Sequence, residues 1–272
     1  MALATCAATP SLDTDGPALL ASLAAAGVDA VPAVWDAPAD WAAYDLVVVR
    51  STWDYTLRRE EFLDWAASVP RLANALPTLV WNTDKRYLAE LASVGVPVVP
   101  TTFVAPGEAY SPPAYEHVVK PTVSAAARDT LRFAAGQDST AHAAALLAAG
   151  RSVMVQPYLS RIEAAGETAL LYFGGRYSHA ARKGAVLAPD AAPPQDPEIT
   201  PCQASTAERA VAERVLASAP GELLYARVGL VPGLDGEPVL MELELTEPSL
   251  FLSMATGAPD RFAAAVVELL LG

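Results

Sequence analysis

The sequence has few cysteines, histidines and basic residues, and each shortage argues against a class of function. Among 272 residues there are 2 cysteines and 3 histidines, too few and too scattered for a zinc site or a disulfide framework. Only 18 lysines and arginines stand against 31 aspartates and glutamates, which gives a formal net charge of −13. Nucleic acids and anionic membrane surfaces attract basic proteins, so neither is expected as a partner.

Long apolar runs and familiar phosphate-loop motifs are also missing. No apolar stretch approaches the ~18 residues of a membrane span, and residues 1–10 lack the basic start and apolar core of a secretion signal. We therefore expect a cytoplasmic protein. The chain contains neither G-x-x-x-x-G-K-[ST] nor G-x-G-x-x-G, which argues against Walker and Rossmann phosphate binding.

The hydrophobic pattern predicts an α/β protein with two or three subdomains. Residues 1–80 alternate between the two types of element, with strands predicted at 2–7, 28–34, 45–50 and 79–81 and helices at 16–26 and 58–68. This βαβ pattern predicts a parallel sheet, which binds ligands beyond the carboxyl ends of its strands. The segment 50–55 follows the third of these strands and is a candidate for ligand contacts.

The rest of the chain mixes helices with strands that include hairpins. Helices are predicted at 83–93, 139–149, 205–217 and 259–271, and strands at 98–104, 117–121, 153–156, 167–173, 176–183, near Tyr225 and near Glu242. The stretch Ala188–Pro201 contains five prolines and is predicted to be a long loop rather than a helix or a central strand.

The most informative motif is Glu242-Leu243-Glu244 in a strand-like segment. Side chains alternate between the faces of a strand, so the two carboxylates are expected to point the same way. Hard oxygen ligands at this spacing suit Mg²⁺, which often bridges to substrate phosphates. The alternative is a solvated strand face with two surface glutamates.

Two lysines and one hinge accompany this pair upstream. Lys120 ends a strand before the small-residue loop 122–127, whose backbone can approach an anion closely. Lys85 lies at a predicted helix start, where a cation is unfavourable unless an anion is near. Gln156-Pro157-Tyr158-Leu159 leaves a strand at a proline, which frees backbone groups for a ligand. Surface lysines and an ordinary strand exit are the alternatives.

Taken in chain order, these segments resemble the ATP-grasp family of carboxylate–amine ligases over residues 81–255. Residues 1–80 resemble the domain that precedes an ATP grasp. The resemblance implies the domains 1–80, 81–155 and 156–272, with nucleotide held between the last two. Strings such as Arg50-Ser51-Thr52-Trp53-Asp54-Tyr55 and the segment 242–252 are similar to a branch that includes the O-ureido-serine cyclo-ligase.

The resemblance also assigns roles to individual residues. It implies that ATP is bound by Lys85, Lys120, Ser124, Gln156, Pro157, Tyr158, Leu159 and Glu167, with Glu167 contacting the ribose. It implies Mg²⁺ at Glu242 and Glu244, catalytic roles for Arg227, Lys183 and Arg182, and contacts to an amino-acid-like substrate from Arg50, Ser51, Asp54 and Ser249. A homodimer is left open.

The implied reaction is ATP-dependent activation of a carboxylate as an acyl phosphate, followed by attack of an amine. In this branch the attack would close O-ureido-D-serine to D-cycloserine, in antibiotic biosynthesis. The loop 188–201 would close over the site. An intermolecular amino-acid or peptide ligase is one alternative.

Two positions depart from the family pattern. Gly229 stands where the family has a metal-binding aspartate, and Ala125-Ala126-Ala127 replaces a loop that usually carries a glycine. Gly229 supports a second alternative, a nucleotide-binding protein with impaired catalysis.

Overall fold

The computed structural model describes residues 1–187 and 197–272, which contain three β-sheets. The first sheet is parallel, as predicted, with the strand order β2-β1-β3-β4. Its strands and neighbouring helices are β1 (Ala2–Thr5), α1 (Gly16–Ala25), β2 (Val31–Val34), β3 (Val47–Ser51), α2 (Arg59–Ser68), β4 (Leu72–Ala73) and α3 (Leu76–Asn82).

The strand predicted at 79–81 is wrong, because these residues lie in α3. Leu79-Val80-Trp81 is too short an apolar run to distinguish strand from helix by periodicity. Pro77, in the first turn of α3, is the signal that favours a helix there, since proline suits the start of a helix. The last strand of the sheet is β4, which pairs with β3 through Val47 and Val48.

The middle sheet is antiparallel, with the order β5-β8-β6-β7. The elements of this part of the chain are α4 (Tyr87–Ser93), β5 (Thr102–Val104), β6 (His117–Pro121), β7 (Leu131–Phe133), α5 (Thr140–Ala148) and β8 (Val153–Pro157). The helix predicted from residue 83 starts later, because residues 83–86 form a turn in which the Lys85 N–H donates to the Thr122 carbonyl at 2.9 Å.

The third sheet is also antiparallel, with the order β11-β10-β9-β12-β13. Its strands and helices are α6 (Ile162–Ala165), β9 (Glu167–Phe173), β10 (Arg176–Lys183), β11 (Ile199–Cys202), α7 (Thr206–Ala217), β12 (Tyr225–Pro232), β13 (Pro238–Glu244) and α8 (Ala258–Leu271). Ser205 and Glu208 form a capping box that fixes the start of α7.

The prediction of a loop over Ala188–Pro201 is wrong for its last three residues. Residues 199–201 belong to the edge strand β11, which pairs with β10 from Lys183 opposite Ile199. An edge strand tolerates Pro201 because its missing N–H need not join the ladder. Residues 188–196, and with them most of the predicted loop, lie outside the described residues.

The first and third sheets share one hydrophobic core. Leu3, Leu19 and Val48 from the N-terminal part belong to the same buried cluster as Phe173 and Phe262. This packing fixes the carboxyl ends of β1 and β3 against the segment that follows β13. None of the helices in the described ranges has the length and apolarity needed to cross a bilayer.

Candidate active site

A cleft of about 640 Å³ lies between the middle and third sheets. It brings together thirteen of the residues that sequence reasoning assigned to the site, although many are far apart in the chain. These residues are Lys85, Lys120, Ser124, Gln156, Pro157, Tyr158, Leu159, Glu167, Lys183, Arg227, Glu242, Glu244 and Ser249.

The acidic pair lies on β13, at one side of this cleft. Glu242 and Glu244 both line it, while Leu243 and Leu245 are buried in the hydrophobic core of the third sheet. The neighbouring strand β12 places Gly229 opposite Glu242 and Arg227 opposite Glu244. The alternation of β13 therefore directs both carboxylates towards the space where a ligand would bind.

Three ion pairs among the described residues line the cleft. Lys85 Nζ lies 3.6 Å from Glu242 Oε2, and Lys183 Nζ lies 3.2 Å from Glu167 Oε2. Arg227 pairs with Glu244. Burial opposes the ionisation of Glu242, yet Lys85, together with Glu244, Lys183 and Lys120, holds the pKa of its carboxyl well below the usual value.

Lys120 is different, because no carboxylate of the described residues forms an ion pair with it. Burial lowers the pKa of its ammonium group to about 8, against the raising effect of Glu242. Lys85 and Lys183 add repulsion that lowers it further. A polyanionic ligand such as a triphosphate would relieve both effects.

The loop after Lys120 adopts a backbone that its residues do not favour. Ala126 and Ala127, which both line the cleft, have φ values of 52° and 51°. This left-handed region costs an L-residue about 1–2 kcal/mol, which explains why a glycine is common in such loops. The Ser124 carbonyl accepts a 2.8 Å hydrogen bond from Lys85 Nζ, so the loop is tied to the turn at 83–86.

The predicted hinge lies at the end of β8, but only part of its backbone is free. The Tyr158 N–H donates to the Glu116 carbonyl at 2.9 Å and is therefore unavailable to an adenine ring. Arg132 stacks over the Tyr158 ring, with its guanidinium carbon 3.5 Å from the ring centroid. The side-chain amide of Gln156 donates to Thr101 at 2.9 Å. These contacts fix the hinge before a ligand arrives.

The space above Gly229 is occupied by another carboxylate. A Cβ atom at this position would lie 2.5 Å from Glu167 Oε1, an oxygen that is buried and has no hydrogen-bond partner among the described residues. The missing side chain at 229 therefore makes room for Glu167, on the adjacent strand β9. An acidic oxygen lies where the family's aspartate side chain would begin.

The donor atoms of the cleft fit a magnesium ion bound together with phosphates. Glu242 and Glu244 offer carboxylate oxygens, and Glu167 Oε1 is an acidic oxygen without a partner in the described residues. Within the two described ranges, no three acidic, histidine or cysteine side chains converge into a complete metal cage. Mg²⁺ normally takes one or two carboxylates plus phosphate oxygens and water, so a complete cage is not required.

Four predicted site residues do not line the cleft, and their roles in substrate binding and catalysis stay predictions. Arg50 is buried, with 1% of its surface exposed, and donates to the Pro248 carbonyl at 3.1 Å. Ser51 bonds to Thr5, and Asp54 accepts from Trp35 and Arg58. Arg182 lies on the face of β10 opposite to Lys183 and donates to the Ala165 carbonyl.

Of these residues, Arg50 contacts the segment 247–252, which we call the clamp segment. Its backbone is held from both sides by buried or partly buried side chains. The contacts are Trp53 Nε1 to the Glu247 carbonyl at 3.2 Å, Arg50 to the Pro248 carbonyl at 3.1 Å, Arg227 to the Ser249 carbonyl at 3.1 Å, and the Leu250 and Leu252 N–H groups to Asp15 at 3.1 and 2.9 Å.

Among the cleft residues that sequence reasoning missed are Trp53, Tyr55 and Glu247. Trp53 and Tyr55 were part of a recognised string but had no role. Glu247 is three residues beyond Glu244, where the strand pattern no longer applies. Burial raises the pKa of its carboxyl to about 7, although the charge on Lys85 lowers it. An acidic residue between threonine and proline was the one available signal.

Comparison with known proteins places this cleft in context. Residues 1–76 match the family model "D-cycloserine synthetase DcsG, N-terminal domain". The chain is 40% identical to the cycloserine biosynthesis protein DcsG of Streptomyces lavendulae, an alignment covering 98% of each chain. The crystal structure of D-cycloserine synthetase DcsG superposes with a TM-score of 0.91 at 39% identity, covering 99% of both chains.

A more distant solved structure shares the fold alone. D-alanine–D-alanine ligase from Bacillus anthracis superposes with a TM-score of 0.67 at 14% identity, covering 99% of this chain and 96% of the ligase. The identity is too low to transfer a substrate, but the match confirms the ATP-grasp architecture expected from the sequence.

Proposed function

This chain is an ATP-grasp ligase that belongs to the D-cycloserine synthetase family, and we propose that it closes the ring of O-ureido-D-serine in the formation of D-cycloserine. The observation that carries the proposal is the cleft itself, in which three lysines, one arginine and four acidic side chains from several elements surround one space. Near-full-length similarity to the cycloserine biosynthesis protein supports the choice of substrate.

The proposed first step transfers the γ-phosphoryl group of ATP to the substrate carboxylate. This transfer depends on positioning and charge neutralisation more than on a protein nucleophile. Lys85, Lys120 and Lys183 lie around the cleft and would neutralise the phosphates. Leu159 and its neighbours at the end of β8 would hold the adenine, and Glu167 remains the proposed ribose contact.

In the second step the nitrogen attached to the side-chain oxygen attacks the activated carbonyl. The C–N bond forms as the C–O bond to phosphate breaks, and the nitrogen gives up its proton. Hydrolytic loss of the carbamoyl group, as carbon dioxide and ammonia, leaves D-cycloserine. Arg227, whose guanidinium lies between Glu244 and the Ser249 carbonyl, would stabilise negative charge on the attacked carbonyl oxygen.

Glu242 and Glu244 would hold the Mg²⁺ ion, which when bound neutralises charge on the transferred phosphoryl group. Arg227 and Lys85 are paired with these two glutamates. We propose that both cations turn to the phosphates when the metal binds, because the metal would then balance the carboxylates.

Two alternatives remain as second candidates. An intermolecular ligase would use the same cleft. A nucleotide-binding protein without catalysis is favoured by Gly229 alone, yet Glu167 places a carboxylate oxygen 2.5 Å from where a side chain at 229 would begin.

The test is to incubate the protein with O-ureido-D-serine and Mg·ATP and to follow ADP release. One ADP per D-cycloserine formed supports ring closure, and Lys120→Ala should abolish both. ADP release that depends on adding a second amino acid, with a dipeptide as product, would favour the intermolecular ligase. Nucleotide binding without any ADP release would favour the inactive binder.

A further inference from the structure

The cleft carries four cationic and four anionic side chains, and ion pairs account for six of them. The cations are Lys85, Lys120, Lys183 and Arg227, and the anions are Glu167, Glu242, Glu244 and Glu247. Lys85 pairs with Glu242, Lys183 with Glu167, and Arg227 with Glu244. One cation and one anion are therefore left over.

The two remaining groups are Lys120 and Glu247, which have no ion-pair partner among residues 1–187 and 197–272. Residues 188–196 contain no lysine, arginine or histidine. Those nine residues therefore supply no cation to Glu247. A buried carboxylate without a cation beside it is costly to ionise, so Glu247 favours a ligand that brings a positive charge.

ATP supplies the charge that complements Lys120, but it supplies no cation for Glu247. The proposed substrate has an α-ammonium group, and that group is not consumed in the reaction. Resting on the proposed function, we propose that Glu247 is the site that binds the α-ammonium group of the substrate and so restricts the enzyme to α-amino acids.

The surroundings of Glu247 have the chemistry that recognises an ammonium group. Trp53 and Tyr55 line the same cleft, and aromatic rings attract cations through their negative faces. Trp53 Nε1 donates to the backbone carbonyl of Glu247 at 3.2 Å, and the Tyr55 side chain lies beside its carboxylate. A buried carboxylate in a cleft that two aromatic side chains also line would bind a primary ammonium group.

The position of Glu247 is fixed rather than adaptable. It is the first residue of the clamp segment, whose backbone is bonded to Trp53, Arg50, Arg227 and Asp15. Its carboxyl is 8% exposed, and burial raises its pKa to about 7. An ammonium group beside this carboxyl would stabilise its ionised form and offset the free energy that its burial costs.

The experiment compares substrates that differ only in the α-amino group. O-ureido-D-serine and its analogue without that group are each incubated with Mg·ATP and hydroxylamine, which traps an activated carboxylate as a hydroxamate whether or not the ring closes. The proteins are the wild type, Glu247→Gln, and the matched control Glu237→Gln, whose side chain is exposed in the turn between β12 and β13.

We expect the wild type and Glu237→Gln to prefer the amino substrate by about 100-fold in kcat/KM. Glu247→Gln should lose most of that preference while activating the des-amino analogue as well as the wild type does. If Glu247 were instead the base that deprotonates the attacking nitrogen, its substitution would lower ring closure but leave the preference in the hydroxamate assay unchanged, and this result would overturn the inference.

A wild type that activates both substrates equally well overturns the inference but leaves the proposed activation step standing. Hydroxamate formation with the expected preference but without any ring product overturns the proposed ring closure and leaves the inference standing. A wild type that activates neither substrate overturns both. Glu247→Gln preserves side-chain volume, and its thermal unfolding shows whether the variant is folded.

Discussion

Gly229→Ala should destabilise the protein because the space beside this glycine already holds the Glu167 carboxylate. The new Cβ atom would lie 2.5 Å from Glu167 Oε1 and 3.2 Å from its carboxyl carbon. Glu167 must therefore move, and moving it disturbs the 3.2 Å pair between its other oxygen and Lys183 Nζ. Overpacking of this kind costs about 1–3 kcal/mol.

A double-mutant cycle measured by denaturant unfolding separates this cause from others. In a Glu167→Ala background the collision partner is gone, so adding Gly229→Ala should cost little, and the coupling should recover most of the ~1–3 kcal/mol. The matched control is Gly184→Ala, where a Cβ would meet its nearest neighbours at an ordinary 3.6 Å. We expect no loss of stability there, because an alanine restricts the unfolded chain.

The reasoning would be refuted by an equal cost of Gly229→Ala in both backgrounds. That outcome would mean that the loss of stability comes from a change in the β12 backbone rather than from the displacement of Glu167. Since a second effect of moving Glu167 is to release Lys183, we also expect Gly229→Ala to weaken ATP turnover.

Three further predictions concern charged groups in and near the cleft. Nucleotide affinity should be constant below about pH 8 and fall above it, because the lowered pKa of Lys120 means that the free protein loses the required proton above pH 8. Calorimetry in two buffers would detect the uptake of this proton on binding, and no proton uptake would contradict this account. Of these two neighbours only Lys183 faces the cleft, so Lys183→Ala should reduce kcat at least about 100-fold and Arg182→Ala by less than about 10-fold. Equal losses of kcat would argue against this placement of the two side chains. The carboxyl of Glu247 has a pKa of about 7, so between pH ~4.5 and ~7 the folded protein keeps a proton that the unfolded chain has lost. The free energy of unfolding should therefore fall by about 3 kcal/mol across that window. A Glu247→Gln variant with the same pH dependence of unfolding would disprove the assignment.

Sequence patterns predicted the features of the fold and site that depend on local geometry. Alternation along β13 placed Glu242 and Glu244 on one face, and the strand end at Lys120 put that lysine on the cleft. The resemblance to ATP-grasp enzymes then gave the order of these elements, which similarity to D-cycloserine synthetase confirms. The domain boundaries at 80 and 155 stay predictions.

The parts that sequence reasoning missed depend on contacts between distant residues. Arg50 contacts Pro248 although 198 positions separate them, and no local pattern could show that its side chain holds the clamp segment rather than a substrate. The collision between Gly229 and Glu167 is likewise a property of two adjacent strands. The helical residues 79–81 were missed because a short apolar run fits either type of element.

The most direct test of the central claim is to label the carboxylate of O-ureido-D-serine with ¹⁸O and to analyse the products of its reaction with Mg·ATP by mass spectrometry. If the enzyme activates the carboxylate as an acyl phosphate and then closes the ring, the released phosphate carries one labelled oxygen for each D-cycloserine formed. Unlabelled phosphate, or labelled phosphate without a ring product, would contradict the account.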